Sequence, residues 1–192
     1  KIFIAVPPIE EQNLISKVLN DIDDLISKLN EIIAKKRDIN QAVILQLLTG
    51  KIRLPGFSDE WMLSLLEDIA DIHKGSGLSK LMLDPSGDNL CILYGELFTT
   101  YNRRIVDIVS RTKSKEGIKS VSGDILLPSS TTTTGSDLAI ASALLLDNVA
   151  LGGDIIIIRR KIYKYDPIFL AYLITQTMKK EITELTQGTT IH

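Results

Sequence analysis

The sequence predicts an α+β fold, in which a long N-terminal coiled-coil helix is followed by a mixed α/β domain of short strands and helices. Apolar residues recur at heptad spacing from Ile15 to Val43, which is the period of a coiled-coil helix. After residue 60 this period is lost, and short β-branched runs alternate with Gly, Pro and Ser clusters. A chain of 192 residues is long enough for one such helix and one domain.

The predicted helix carries an apolar seam that requires a partner helix. About 40 residues at ~1.5 Å each make a rod of roughly 60 Å, which suits a spacer. Lys36 interrupts the seam, where it either fixes the register of two helices or extends its charged end to the rim. The predicted coiled-coil interface consists of Ile15, Val18, Ile22, Leu25, Leu29, Ile32, Ile39 and Val43.

Four segments follow from these signals. Residues 1–6 alternate apolar positions like a strand, and Pro7-Pro8 then starts the helix. Gly50 ends the helix, and Pro55-Gly56 marks a turn-rich connector. We therefore predict the tail of a preceding strand or domain at 1–8, a spacer helix at 9–50, a linker at 51–60 and a domain at 61–192.

Within the domain, β-branched and apolar runs bounded by turn residues predict six strands. These are residues 61–63, 70–74, 91–94, 105–110, 123–128 and 154–158. Ser64 and Glu67 have the spacing of a capping box, which predicts a short helix through Ile69. Asp166-Pro167 predicts the start of a longer helix. This longer helix is predicted to run to about residue 177. Two further helical segments are predicted at 96–101 and 178–185.

Composition excludes several classes of function. Cys91 is the single cysteine, which rules out a disulfide framework and a cysteine-rich zinc site. His73 and His192 have no metal-ligand spacing, so we expect no metal and no cofactor. No apolar run is long enough for a membrane span, and we expect a cytoplasmic protein. The net charge of −2 argues against binding of nucleic acid by bulk charge, so any basic surface is local, at Arg103-Arg104, 111–119 or 159–164.

Residues 129–136 form a run of serine and threonine with one glycine between two predicted strands. The run is either a linker or a polar surface loop. Hydroxyl groups can donate to phosphate oxygens and read base edges without adding charge, which suits a DNA contact in a protein of neutral balance. Arg159-Arg160-Lys161 follows a predicted strand, where it is either a phosphate contact or a solvated strand end.

Catalytic motifs are poorly supported. Gly75-Ser76-Gly77 faintly resembles a phosphate-binding loop, but the Gly-Lys-Ser/Thr ending is absent. A plain turn is the simpler interpretation, and a loop near a DNA backbone is the intermediate one. A catalytic triad would need His73, one of many serines and an aspartate, with no nucleophile-elbow pattern. A serine hydrolase is therefore the weakest hypothesis.

One resemblance covers essentially the whole chain. Residues 7–12 (PPIEEQ), 47–53 (LLTGKIR) and 55–57 (PGF) before Trp61 resemble the specificity subunit of type I restriction–modification systems. Residues 65–72 (LLEDIADI) followed by Gly75 are similar to the opening of that family's target recognition domains. Residues 123–126 and 188–190 fit the closing parts. The match is strong over 7–61 and patchy afterwards.

The resemblance implies a non-catalytic subunit that recognises double-stranded DNA. In that family two target recognition domains each read half of a bipartite site, and paired spacer helices hold them apart. Methyltransferase (modification) subunits bind beside the helices, the restriction subunit joins the complex, and methylation and cleavage occur in those partners. This chain has one spacer helix and one recognition domain, so the second helix would come from another copy, as a dimer, or from a missing half.

By this resemblance we expect DNA contacts at positions within the domain: Lys74, Ser76, Tyr94, Glu96, Thr99, Ser129, Ser130, Thr131, Thr132, Thr133, Thr134, Arg159 and Arg160. The alternative is a coiled-coil protein-interaction scaffold without DNA specificity. A lack of duplex preference, even with methyltransferase subunits present, would favour the scaffold.

Overall fold

The structure is a computed structural model, and it describes residues 1–129, 140–161 and 165–178. The chain divides into two compact units, Lys1–Leu47 and Leu48–His192. None of the described helices combines the length and the apolar composition that a membrane span requires.

The first unit is formed by one helix. Helix α1 (Ile9–Leu48) has 40 residues, with Glu10 and Glu11 in its first turn near the positive end of the helix dipole. The Gln12 side chain donates a hydrogen bond to the Pro7 carbonyl at 2.7 Å and closes the helix start. The predicted long helix is confirmed, and every residue of the predicted seam is exposed in the single chain, from 43% for Val43 to 61% for Ile39.

Residues 1–8 form no strand, contrary to the alternating pattern of 1–6. No neighbouring strand pairs with them in the described chain, and a strand needs such a neighbour for its backbone hydrogen bonds. Ile2 and Phe3 are each 92% exposed.

The second unit is the α+β domain. Its strands are β1 (Ala70–Lys74), β2 (Asn89–Ile92), β3 (Arg104–Ile105), β4 (Arg111–Thr112), β5 (Ile118–Lys119), β6 (Asp124–Pro128), β7 (Ser142–Leu144), β8 (Ala150–Leu151) and β9 (Ile155–Arg160). Its α-helices are α2 (Leu66–Ile69), α3 (Glu96–Thr99) and α4 (Pro167–Thr177), and a 3₁₀ turn covers Lys80–Met82.

These strands form two sheets. The larger sheet has the order β1-β9-β6-β7-β3, and all neighbours are antiparallel except the parallel pair β7 and β3. The smaller sheet has the order β4-β2-β8-β5, and its central pair β2 and β8 is parallel. The predicted α+β fold class is therefore confirmed.

Two apolar clusters cover the two faces of the larger sheet. Helix α4 packs on one face through Leu170, Ala171 and Ile174. The other face packs against the smaller sheet and α3, in a cluster that includes Leu126, Leu151 and Leu97. A sheet buried on both faces explains why β6 is buried at every position.

The start of α4 follows the sequence prediction. Asp166 is the N-cap and its carboxylate accepts a hydrogen bond from the Phe169 backbone N–H at 2.8 Å, with Pro167 in the first turn. The predicted capping box at α2 is wrong, because Leu65 occupies the N-cap and no side chain caps the helix. The helix predicted at 178–185 lies outside the described residues except for Met178.

Three predicted strands are wrong in part or in full. The strand predicted at 91–94 lies two residues earlier, as β2. Residues 61–63 form no strand, and Trp61 instead packs edge-on against Phe169, with ring centroids 6.0 Å apart, beneath the Arg53 guanidinium. The strand predicted at 105–110 ends at Ile105, because the chain then leaves the larger sheet and pairs with the smaller sheet at Arg111. Strand β9 continues through Arg160, so Arg159 and Arg160 lie within it.

Candidate nucleic-acid interface

The ends of the strands bring several predicted contact residues together. Lys74 is the last residue of β1 and Ser129 follows β6, and both strands run antiparallel to β9. The Gly75 N–H donates to the Ile155 carbonyl at 2.8 Å, and the Ser129 N–H donates to the Asp154 carbonyl at 2.8 Å. Lys74, Ser76 and Ser129 therefore lie at the same end of the strands, beside the start of β9.

Loops of the smaller sheet reach the same end of the larger sheet. The Ser76 N–H donates to the Leu151 carbonyl at 3.3 Å, and the Gly152 N–H donates to the Ile92 carbonyl at 3.0 Å. The backbones approach so closely that a Cβ on Gly75 would overlap the carbonyl oxygen of Gly152. We call this end of the strands the loop end, and define it by residues 74–80, 93–103, 129 and 152–154.

Tyr94, Glu96 and Thr99 lie in the loop of residues 93–103. Tyr94 precedes α3, and Glu96 and Thr99 are its first and last residues. The Glu96 carboxylate accepts hydrogen bonds from the Leu93 N–H at 2.7 Å and from the Ser110 hydroxyl at 2.6 Å. It therefore ties its own loop to the segment that follows β3. The Thr99 hydroxyl donates to the Gly95 carbonyl at 3.2 Å and is exposed on the surface.

Two neighbouring groups are held in their neutral forms. Burial raises the pKa of the Tyr101 phenol, whose oxygen accepts a hydrogen bond from the Val109 N–H at 3.1 Å. Burial also raises the pKa of the Cys91 thiol, and the Glu96 carboxylate adds to this effect. A buried, protonated thiol is a poor nucleophile, and Cys91 packs as an apolar residue with Leu78 and Ala150.

The charges at the loop end are few. Lys74, Lys80 and Asp154 are exposed, and Glu96 and Arg103 are half-buried. Ser130, Thr131, Thr132, Thr133 and Thr134 lie outside the described residues. Sequence reasoning identified Arg103-Arg104 as a local basic surface but did not place Arg103 at the loop end, because the two-residue strand β3 that follows it has no pattern of its own.

Arg159 and Arg160 lie at the opposite end of the larger sheet. They pair with Asp71 and Ala70, three and four residues before Lys74, or roughly 10–13 Å along the strand. Arg159 donates from Nε to Asp124 Oδ1 at 2.9 Å and from Nη2 to Asp124 Oδ2 at 2.7 Å. The structure therefore does not bring these two arginines to the loop end, and their contact with DNA stays a prediction.

No family model matches the chain. The type I restriction enzyme MjaVIII specificity subunit of Methanocaldococcus jannaschii is 26% identical over 210 aligned residues, which cover 97% of this chain and 47% of that protein. The HsdS subunit of Thermoanaerobacter tengcongensis has a TM-score of 0.55 at 15% identity, over 93% of this chain and 44% of that chain. A chain from a structure of the type I R-M system has a TM-score of 0.56 at 16% identity, over 94% and 44%.

The chain is similar to half of a type I specificity subunit. This confirms the resemblance that residues 7–61 predict. The specificity subunit of M. jannaschii matches in sequence, and the HsdS chain shares the fold of a long helix followed by an α+β domain. The chain spans about half the length of the curated relative, at 47%.

In the part of the chain that the structure describes, no three His, Cys, Asp or Glu side chains are grouped so that they could hold a metal ion. The hydrogen-bonding groups at the loop end are hydroxyls, backbone amides and a few charged side chains. Such groups can bind phosphates and base edges.

Proposed function

We propose that this chain provides sequence-specific DNA recognition as part of a type I restriction–modification specificity subunit. It would be non-catalytic and would act in the cytoplasm, directing methyltransferase and restriction subunits to a bipartite site. The observation that carries the proposal is the 26% identity to a type I specificity subunit over 97% of this chain. The geometry of the loop end supports it.

The loop end has the physical properties that a base-reading surface requires. Its loops project from two packed sheets, and backbone hydrogen bonds from Gly75, Ser76, Ser129 and Gly152 fix the points where the loops leave the strands. Loops positioned by a rigid scaffold can enter a groove without losing their register. The run of hydroxyl groups that begins at Ser129 would then contact base edges, with Lys74, Ser76, Tyr94 and Thr99 beside it.

The DNA test uses the chain assembled with its methyltransferase subunits and a random duplex library. We expect selection of a bipartite sequence. Replacing Thr131, Thr132, Thr133 and Thr134 by alanine should change the preferred bases, since a good base contact contributes about 1–3 kcal/mol of discrimination. The slope of log affinity against log salt should stay the same, because hydroxyl groups neutralise no phosphate charge.

Ser58→Ala serves as the matched control, because Ser58 is an exposed hydroxyl residue of the linker. It should alter neither the preferred sequence nor the salt slope. A wild-type assembly that binds all duplexes alike would refute the proposed function. Unchanged preference in the fourfold alanine variant would refute the role of the Thr131–Thr134 run alone.

We also propose that α1 pairs with a second spacer helix through its apolar seam. The eight seam residues are all exposed in the single chain, and an apolar stripe of this length gains free energy when a partner removes it from water. A pair of spacer helices would hold two recognition domains apart at a set distance. Recognition of a bipartite DNA site requires a spacer of fixed length.

Light scattering across a concentration series tests the helix pairing. We expect the wild-type chain to have twice the mass of a monomer. Replacing Leu25 and Leu29 by aspartate should weaken the dimer by at least ~100-fold, since each buried leucine contributes about 1.5–3 kcal/mol. Ser27→Asp, on the outer side of the same helical turns, should leave the mass unchanged. A monomeric wild-type chain at every concentration would contradict self-pairing.

A further inference from the structure

We infer that the open edge of strand β1 binds a second copy of this chain, whose residues 1–6 add one more strand to the larger sheet. We call this contact the strand exchange. It rests on the proposed pairing of α1 with another copy, and it gives a partner to a segment that this pairing leaves without one. The domain has a strand edge without a neighbour, and residues 1–6 have a strand pattern without a partner.

The outer edge of β1 has backbone groups that are open to pairing. The Gly75 N–H donates to the Ile155 carbonyl at 2.8 Å, and the Lys161 N–H donates to the Ile69 carbonyl at 3.0 Å. In an antiparallel pair, residues that exchange hydrogen bonds with the neighbouring strand alternate with residues whose backbone groups point away from it. This alternation places the N–H and C=O of Ile72 on the outer side. In the described part of the chain, β1 pairs with β9 alone.

The side chains of β1 also lack a neighbour on this side. Ala70 is buried, but every later residue of the strand is exposed, and Ile72 is 65% exposed. Ile72 pairs with Ile158, which belongs to the apolar cluster under α4. Side chains paired across a sheet point to the same face. An exposed isoleucine on an edge strand, beside this cluster, is a site where one more strand can add.

Residues 1–6 match this edge in length and in pattern. Six residues at ~3.4 Å each span about 20 Å, and the five residues of β1 span about 17 Å. Ile2, Ile4 and Val6 share one face of such a strand. With Ile4 opposite Ile72, this face covers Ile72 and extends the apolar cluster under α4. Ile4 is itself 79% exposed in the single chain, so both partners gain from the contact.

A second copy fits this edge better than the same chain does, because α1 separates the two partners. Helix α1 has 40 residues, or a length of roughly 60 Å, and it lies between residues 1–6 and the domain along the chain. In an antiparallel pair of α1 helices, the start of each helix lies beside the end of the other, and the second unit of that other copy begins there, at Leu48. Residues 1–6 of each copy can then reach the domain of its partner.

The charges along α1 favour the antiparallel arrangement. Residues 9–28 have five acidic and two basic side chains, whereas residues 29–48 have two acidic and three basic side chains. A parallel pair would place the two acidic halves side by side. An antiparallel pair places each acidic half beside the basic half of the other copy, and such charge pairs set the orientation of coiled coils. Two strand exchanges would then reinforce the helix pair that spaces the two domains.

The first test is cross-linking of the full chain that carries both Ile4→Cys and Ile72→Cys. Paired residues of neighbouring strands have Cα atoms about 4.5–5.5 Å apart, which is a separation that a disulfide bridges. We expect a covalent dimer on a non-reducing gel after mild oxidation. Phe3→Cys with Ile72→Cys is the matched control and should give at least ~10-fold less dimer, because a shift by one residue turns the side chain to the other face. Cys91 is buried and does not compete.

Amide hydrogen exchange is the second measurement, and it needs no added cysteine. The Ile72 amide should exchange at least ~10-fold more slowly in the wild-type dimer than in Ile4→Pro, because proline lacks the N–H that the added strand donates. The Leu126 amide, in the central strand β6, should be equally protected in both proteins.

Three results would overturn the strand exchange. The first is a disulfide within one chain, seen as a cross-linked monomer, since the edge would then be occupied by the chain's own segment. The second is a wild-type dimer with neither the cross-link nor slow exchange at Ile72, which would leave the pairing of α1 intact. The third is a wild-type chain that is monomeric at every concentration, which would overturn the pairing of α1 as well. The selection of a DNA sequence by the full assembly tests DNA recognition separately.

Discussion

Asp124→Asn is expected to destabilise the α+β domain by about 3 kcal/mol, because it leaves a partly buried guanidinium without its counter-charge. The Asp124 side chain is 1% exposed and accepts two hydrogen bonds from Arg159 and one from the Val121 N–H at 2.9 Å. The hydrogen bonds with Asp124 raise the pKa of the Arg159 guanidinium above its usual value. This effect is lost with Asp124, but an arginine side chain stays protonated at neutral pH without it.

Urea unfolding followed by the fluorescence of Trp61 measures this loss, since Trp61 is the single tryptophan and packs against α4 of the domain. Asp88→Asn is the control, as Asp88 is exposed at a turn and should change stability by less than about 0.5 kcal/mol. A double variant that also replaces Arg159 by glutamine should recover part of the loss, because no buried charge is then left unpaired. A loss below about 1 kcal/mol in Asp124→Asn would contradict the role of this ion pair.

Gly75→Ala should disrupt the loop end itself. The added methyl group would overlap the carbonyl oxygen of Gly152, which is a backbone atom that no side-chain rotation can move away. Overpacking of this kind costs about 1–3 kcal/mol. The loops after β1 and β8 must separate, which displaces the surface proposed to read DNA, so we expect at least a ~10-fold loss of affinity for the selected duplex.

Gly95→Ala is the matched control in the same group of loops. A Cβ at Gly95 would meet no atom within 4 Å, and the residue has φ −62°, which alanine adopts freely. Its stability should stay within about 0.5 kcal/mol of the wild type, and its DNA affinity should be unchanged. Equal DNA affinity in Gly75→Ala and Gly95→Ala would show that the close approach of Gly75 to Gly152 does not shape the interface.

The helices show how far local sequence extends as a predictor. The span of α1 follows from the heptad pattern of apolar residues, which continues along the helix. The start of α4 follows from an N-cap whose hydrogen-bond partner lies three residues away. Strands of five or six residues, such as β6 and β9, carry enough β-branched or apolar residues to be predicted. Strands of two or three residues were missed, because neighbouring strands rather than their own composition hold them in place.

The candidate interface divides in the same way. The residue types that suit DNA contact, among them Lys74, Ser76 and the hydroxyl run from Ser129, were identified from the sequence, as was the resemblance to specificity subunits. The approach of Lys74, Ser76 and Ser129 to one another was not, and neither was the ion pair that holds Arg159. The sequence by itself determined the long helix, the fold class and the chemistry of the loops. Only the tertiary structure decided which loops meet, because strand pairing joins residues far apart in the chain and depends on register, which no local pattern contains.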